Sequence, residues 1–260
     1  MSSTPEEALL ALQPWIEKHL RTAWKPILGG TNSAQSLSCF SGIPLLLPDE
    51  AWPTCKSCGD PMELMLQLEL SKLPTDRHGQ RLLQLFYCVT GDACDLGWEA
   101  FANYSSLCRA IAQEHASPTS VNHNRFPTKA IDSWHVFEDS PDSGEHNRLG
   151  VRIDYHFNDV PFQPMELWCD ELDLHFVGSK FIDCLEQNVQ AADGDKLGGW
   201  PRWVQGVEYP TCPQCGSEMA LVMQIDSEDN VPYMFGDCGI GHITQCPTHH
   251  DVVAFAWACS

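Results

Sequence analysis

The chain has 260 residues, 43% of them hydrophobic, and a formal net charge of −20 from 35 acidic and 15 basic residues. This apolar content is enough to build a buried core. The charge far exceeds the roughly 2–8 that is usual for a small domain, and it disfavours nucleic acid and anionic membranes because both repel an acidic protein. The sequence also has neither a basic stripe nor an apolar run of about 20 residues. We therefore expect no nucleic-acid partner and no membrane.

The start of the chain and its cysteines predict a compartment. The first residues lack the basic and apolar regions of a signal peptide, so we expect a cytoplasmic protein. In a reducing compartment, 13 cysteines indicate metal or redox chemistry before structural disulfides.

Residues 1–26 are expected to form an N-terminal helical segment. Thr4 can cap a helix, Pro5 suits its first position and Glu7 completes a capping box. Pro14 is expected to break, kink or restart this helix, because proline has no N–H to donate.

Residues 27–115 form the first of two predicted repeat units. Alternating and aromatic-rich patterns predict strands over Met62–Leu70 and Leu82–Cys88. The spacing of the apolar residues in Trp98–Ile111 fits a helix.

Residues 116–195 are interpreted as a connecting region. Strands are predicted over Trp134–Phe137 and Val151–Phe157, with a turn at Ser140–Glu145 between them. Ser179 is expected to cap a short helix.

Residues 196–260 form the second repeat unit, with strands predicted over Met219–Ile225 and Val252–Trp257. Its Tyr209–Gly216 repeats Trp52–Gly59 at a distance of 157 residues, and 10 of the 26 aligned positions from Gly42 to Gln67 are identical. Such a match indicates an internal duplication. The expected fold class is α+β and β-rich, with two homologous, mostly antiparallel sheet units and a few short helices.

Each unit carries a Cys-x-x-Cys-Gly turn whose sulfurs can point the same way, and later residues can complete a tetrahedral zinc site. Two structural zinc sites are therefore predicted, with His250 as an alternative to His249: Cys55, Cys58, Cys88 and Cys94; Cys212, Cys215, Cys246 and His249. Two other interpretations stay open. The thiols can be buried simply as small apolar groups, or the pairs can be redox-active, although a redox pair favours a helix after its first cysteine.

Two acidic segments are candidate contacts for a basic partner, because complementary charge speeds association and confers specificity. One surrounds Trp168, and the other follows the second repeated strand. The predicted binding residues are Glu166, Asp170, Glu171, Asp173, Asp226, Glu228, Asp229 and Asp237. A solvated acidic surface without a partner is the simpler alternative.

The motif pattern resembles the YwqG-like family of bacterial proteins and, more distantly, the programmed-cell-death protein 2 group. The resemblance spans about residues 27–258 and rests on these segments: Gly42–Pro44, Trp52–Gln67, Leu83–Tyr87, Ile131–Pro141, Lys196–Pro201, Gln224–Ser227 and Gly236–Gly241. It implies a duplicated antiparallel β architecture and a protein-binding role. The eukaryotic relatives are chaperones of a ribosomal protein, and bacterial members resemble immunity proteins that neutralise toxins.

The favoured hypothesis is a non-enzymatic, acidic immunity protein that binds and neutralises a basic toxin such as a nuclease, whose phosphate-binding cleft must be basic. A dedicated chaperone of a basic ribosomal protein is the close alternative, and charge does not separate the two. A metal-dependent hydrolase is the third hypothesis, and it requires an open position on the zinc.

Overall fold

The computed structural model describes residues 4–29, 36–90, 94, 98–102, 104–154 and 165–260. Within them lie the helices α1 (Pro5–His19), α2 (Ser143–His146) and α3 (Ser179–Asn188). The strands are β1 (Arg21–Leu28), β2 (Cys39–Phe40), β3 (Leu45–Leu46), β4 (Glu63–Glu69), β5 (Leu82–Tyr87), β6 (Ser106–Ile111), β7 (Ser117–Pro118), β8 (Lys129–Asp139), β9 (Val151–Asp154), β10 (Glu166–Cys169), β11 (Leu174–Val177), β12 (Lys196–Gly198), β13 (Ala220–Asp226), β14 (Ile240–Gln245) and β15 (Val253–Ala258). No helix among these residues is both long and apolar enough to cross a bilayer.

The expected β-rich class is confirmed by one large antiparallel sheet. Its ten strands follow the order β15-β14-β13-β12-β1-β8-β2-β4-β5-β6. The two edge strands, β6 and β15, lie against each other, and Trp257 Nε1 donates to Tyr87 Oη across this seam at 2.9 Å. The curved sheet therefore encloses one core from both halves, in which Leu66 and Leu83 share a cluster with Val222 and Phe255.

A separate apolar cluster lies outside this core. The small sheet β11-β10-β9 packs with α1 and α3 around an apolar cluster that contains Trp15, Leu167 and Leu185. The expected capping box is confirmed, since Thr4 N donates to Glu7 Oε2 at 2.8 Å and Glu7 N donates to Thr4 Oγ1 at 3.2 Å.

The two halves of the large sheet repeat their geometry at the spacing found in the sequence. β13 follows β4 by 157 positions, and both strands carry a register shift, between Leu64 and Leu66 and between Leu221 and Met223. The buried amides of Gln67 and Gln224 also make matching bonds. Gln67 accepts from Leu45 N (3.0 Å) and donates to Leu37 O (2.9 Å). Gln224 accepts from Arg202 N (2.8 Å) and donates to Gly194 O (2.9 Å). A common origin by duplication stays a prediction.

Secondary structure differs from expectation at the N-terminal segment. The helix ends at His19, and Arg21–Leu28 form β1 at the centre of the sheet. The helix also continues through Pro14. Pro14 has no N–H to donate to the carbonyl of Leu10. Leu10 is 73% exposed, so water can hydrogen-bond to that carbonyl instead.

Three shorter predictions also need correction. Ser106–Ile111, expected to be helical, form β6, because pairing with β5 outweighs the helical spacing. Ser179 is the first residue of α3, and Gly178 precedes it without a side-chain cap. The expected turn at Ser140–Glu145 contains the start of α2, which Asp142 caps through Gly144 N. The predicted strand over Val151–Phe157 is present to Asp154, and its last three residues lie outside the described ranges.

Candidate metal centres

The first four-cysteine cluster gathers residues from three places in the first half. Cys55 and Cys58 lie in the turn closed by a bridge between Thr54 and Pro61, just before β4. Cys88 follows β5, and Cys94 comes six positions later. Because β4 and β5 pair along their length, the turn before one strand and the end of the other come together.

The second cluster is built in the same way. Cys212 and Cys215 lie in a turn closed by a bridge between Thr211 and Glu218, just before β13. Cys246 follows β14, and His249 comes three positions later. The pairing of β13 with β14 brings these residues to one end of the hairpin.

The two cysteine turns have the same backbone. Cys55 N donates to Asp60 O and Gly59 N to Cys55 O, both at 2.8 Å. Cys212 N donates to Ser217 O at 2.8 Å, and Gly216 N to Cys212 O at 2.9 Å. Gly59 and Gly216 have φ of +82° and +73°, and a Cβ at either would meet no atom within 4 Å. Glycine is therefore required by the backbone conformation rather than by space.

The donor atoms fit a tetrahedral ion. In each cluster the four ligand atoms lie within 4.8 Å of one another. The Sγ atoms of Cys58 and Cys88 are 3.7 Å apart, and those of Cys215 and Cys246 are 3.6 Å apart. Tetrahedral zinc with Zn–S bonds of about 2.3 Å places its sulfurs about 3.8 Å apart. The spacing of the donors is compatible with one tetrahedral ion in each cluster.

His249 supplies the fourth donor of the second cluster. Its Nδ1 lies 3.7 Å from the Sγ atoms of both Cys212 and Cys246. His250, the alternative, instead lies next to Gly79, with its Nε2 3.2 Å from Pro247 O. The first cluster has Cys94 at the corresponding place, so the sets are four sulfurs in one half and three sulfurs with one nitrogen in the other.

Burial divides each cluster into an inner and an outer side. Cys55 and Cys88 are buried beside Trp52 and Phe86, and Cys212 and Cys246 are fully buried. Cys58 and Cys215 are exposed. Ala100, in the loop after Cys94, packs against the apolar residues around the second cluster.

In the second cluster, hydrogen bonds lower the pKa of Cys215, and at Cys246 they outweigh burial and lower its pKa as well, whereas burial raises the pKa of Cys212. The Sγ of Cys215 lies 3.4 Å from Ser217 Oγ, and this hydroxyl together with the Ser217 N–H lowers the pKa of Cys215 to about 6. In the first cluster, hydrogen bonding with Cys58 and burial raise the pKa of Cys94 to about 12. The sequence-based prediction of the metal sites did not include Ser217 as a partner of Cys215. Its position two residues after the second cysteine of the turn was the signal that could have indicated this role.

The eight predicted acidic binding residues lie in two segments of the structure and differ in their partners. Glu166, Asp170 and Glu171 make surface ion pairs with His175, Arg152 and Lys18. In the other segment, Asp226 accepts from Gly194 N and Asp229 from Asp195 N, so both carboxylates hold a neighbouring loop. The remaining three, Asp173, Glu228 and Asp237, are exposed, and their carboxylates have no partner among the described residues. Only Glu228 and Asp237 share one loop, the β13–β14 connection.

Comparison with known proteins identifies a family. The family model of a domain of unknown function, DUF1963, matches residues 38–252. The chain belongs to the DUF1963 family. The matched span contains all eight residues of the two clusters. The DUF1963 match does not confirm the more specific resemblance to the YwqG-like family, which stays a prediction.

A curated relative matches over a short segment only. The chain is 50% identical to the uncharacterized protein YpfL of Salmonella typhimurium over 34 residues. These residues are 13% of this chain and 8% of YpfL. Such a match does not bear on function.

Proposed function

We propose that the chain is a non-enzymatic binding module in which two structural zinc ions hold the fold and an acidic surface binds a basic protein. Within this class we favour an immunity protein that neutralises a basic toxin, for instance a nuclease. The observation that carries the structural part is the closed set of four donors in each cluster. The observation that carries the binding part is the net charge of −20.

Zinc is the metal that this donor chemistry favours. Four thiolates, or three thiolates and an imidazole, in tetrahedral array are typical of structural zinc. All 13 cysteines are free thiols, which agrees with a reducing, cytoplasmic location. Zinc at each cluster would tie a cysteine turn to the end of the next strand, and this would brace the same corner of both halves.

The closed coordination argues against the hydrolase hypothesis. A catalytic zinc keeps one position for water and has three protein ligands. Cys94 and His249, the two residues whose absence would leave such a position, both lie in their clusters. The zinc we propose is therefore structural.

The proposed contact surface is centred on the β13–β14 loop, where Glu228 and Asp237 are exposed. Asp226 and Asp229 add negative charge at the base of the same loop. A basic protein would approach this field rapidly, and the association rate would fall as salt screens the charges. The family resemblance supports a toxin or a ribosomal protein as the partner, and DUF1963 membership leaves both open.

The test is affinity capture from the native cells at low and at high salt, with the partner identified by mass spectrometry. A stoichiometric basic toxin domain, inactivated by the added protein, is the expected result. A newly made ribosomal protein would instead establish the chaperone alternative, and recovery of no partner at either salt would contradict both.

A pair of variants locates the contact. Glu228→Gln with Asp237→Asn removes two charges from the β13–β14 loop. Glu99→Gln with Glu114→Gln removes two exposed charges from the first half and serves as the control. The first pair is expected to slow association and the second to leave it near the wild-type rate. Equal rates for both pairs would remove this loop from the proposed interface.

A further inference from the structure

A groove of about 560 Å³ crosses the large sheet beside the second metal cluster. Residues from β1, β12, β13 and β14 line it, together with Thr75, Arg77, His78, Cys246 and Pro247. Its volume lies within the range of about 300–1,000 Å³ that is usual for small-molecule sites. Gly198 and Gly199 form part of the wall.

Two arginines in this groove differ from the others in the chain. Arg21 and Arg77 are exposed, and neither guanidinium has a hydrogen bond or an ion pair to any described residue. The other six arginines all donate to a carboxylate or a backbone carbonyl: Arg81, Arg109, Arg125, Arg148, Arg152 and Arg202. In a chain with 35 acidic residues, the two guanidiniums without an oxygen partner line the same groove.

The lining of the groove contains no carboxylate. Its charged and titratable members are Arg21, Arg77, His78 and Cys246. Within its own lining the groove therefore has two guanidiniums and no carboxylate, on a protein of charge −20. The groove therefore differs from a generally basic surface. The negative charge of the rest of the protein repels anions, so an anion can be held only where a specific local geometry attracts it.

Arg21 is also held in place. Its Cζ lies 3.2 Å from the centroid of the Trp200 ring. A guanidinium stacked on an aromatic face keeps its N–H donors directed outward in the plane. Such a plane matches the paired oxygens of a carboxylate or a phosphate. Trp24 lines the groove itself. Trp200 lines an adjoining pocket together with Glu145 and Glu218, so Arg21 lies between the two.

We propose that this groove binds a small molecule through a carboxylate or phosphate group, with Arg21 and Arg77 as the ligands of that oxyanion. The inference does not depend on the basic partner proposed above, because that partner would contact a different and oppositely charged surface. It also does not use the metal centre, whose donors are directed at one another.

The experiment is calorimetric titration of the protein as purified with inorganic phosphate, adenosine monophosphate and succinate. Succinate is used because it is a weak zinc chelator. The variants are Arg21→Gln and Arg77→Gln. The control is Arg152→Gln, which removes the same charge from an exposed arginine outside the groove. Zinc content and circular dichroism establish that each variant is folded.

At least one probe is expected to bind the wild type, and each groove variant is expected to weaken it roughly tenfold or more, because a hydrogen bond to a charged group is lost. Binding of a phosphate probe alone, or of succinate alone, identifies which oxyanion the site takes. Equal weakening by Arg152→Gln would show that net charge rather than the groove is responsible. No binding of any probe would overturn the proposal. Arg77 lies in a loop, so its variant keeps the test valid if Arg21→Gln does not fold.

Discussion

The two metal clusters share a backbone and differ in chemistry. Both place a Cys-x-x-Cys-Gly turn before a strand and a third cysteine after the next strand. The fourth donor is Cys94 in one and His249 in the other. At the matched position two residues after the second cysteine, Ser217 provides a hydroxyl donor and Asp60 provides a carboxylate, which accepts only. The turn geometry is therefore common to both halves, and the proton affinity of the donors is set locally in each.

The same contrast extends away from the metals. Ser38 Oγ accepts from Glu69 N at 3.0 Å, and at the matched position Asp195 Oδ1 accepts from Asp226 N at 2.7 Å. A neutral hydroxyl in the first half and a buried carboxylate in the second thus hold equivalent strands. The second half gains the same hydrogen bond but also a charge that must be desolvated.

The largest expected effect comes from removing a buried ligand. Cys246→Ser should reduce the zinc content from two ions to one and lower the melting temperature strongly, because structural zinc contributes apparent binding free energies of about 10–16 kcal/mol in small peptides. Metal analysis and calorimetric unfolding measure both quantities. Cys238→Ser, at an exposed cysteine outside the clusters, is the control and should change neither. If both variants keep two zinc ions, Cys246 is not a ligand.

The next effect concerns the dependence of stability on pH. Burial and the neighbouring charge of Asp229 raise the pKa of Asp195 from 3.8 to about 7. Between these values the folded protein keeps a proton that the unfolded chain releases, so stability falls as pH rises from about 4 to about 7 and then levels off. The loss is at most roughly 4 kcal/mol.

Asp195→Asn removes this titration. The difference between wild type and variant in the free energy of unfolding should therefore change over that pH interval and be constant above it. Denaturant unfolding at a series of pH values measures it. Ser38→Ala is the comparison from the first half and should show no such pH-dependent difference. If the free energy of unfolding depends on pH in the same way for wild type and Asp195→Asn, the pKa of Asp195 is not raised in the folded protein.

A smaller effect tests whether the two turns are equivalent. Gly59→Ala and Gly216→Ala each force a side chain into the left-handed region, at a cost of roughly 1–2 kcal/mol. Neither Cβ would meet a neighbour, so the two losses in unfolding free energy should be equal. Unequal losses would mean that the turns differ in ways that their matching hydrogen bonds do not reveal.

The smallest effect isolates Ser217. Ser217→Ala keeps the backbone carbonyl that accepts from Cys212 N and removes only the hydroxyl beside Cys215. The pKa of Cys215 should rise, and zinc affinity at the second cluster should fall roughly 10–100-fold, as is usual when an outer partner of a metal ligand is lost. Competition with a chromogenic chelator measures this. Asp60→Ala should leave the second cluster unchanged, and an equal loss there would contradict a local role for Ser217.

Local patterns were sufficient to predict the cysteine turns and most strands. Cys-x-x-Cys-Gly encodes its own turn, and the alternation in Glu63–Glu69 and the aromatic run in Leu82–Tyr87 predict strands, both of which the structure buries on both faces. The choice of His249 over His250 needed the geometry after β14, which spacing alone did not fix.

The features that were not predicted depend on residues that are far apart in the sequence. β1 follows a helix directly and contains Pro26, which argues against a central strand. The structure accommodates it because β12 pairs only with Ala23 and Trp24, so at Pro26 the strand has a partner, β8, on one side alone. The closure of the sheet at β6 and β15, and the grouping of Arg21 with Arg77, likewise bring together residues that no local pattern relates.

The central claim is that both clusters bind zinc and that it is structural. It is tested most directly by elemental analysis and native mass spectrometry of the untagged protein. The expected result is two zinc ions per chain, with the eight cluster residues protected from thiol and imidazole reagents until a chelator is added. A metal content near zero, with the exposed thiols of Cys58 and Cys215 reactive before any chelator is added, would contradict the account.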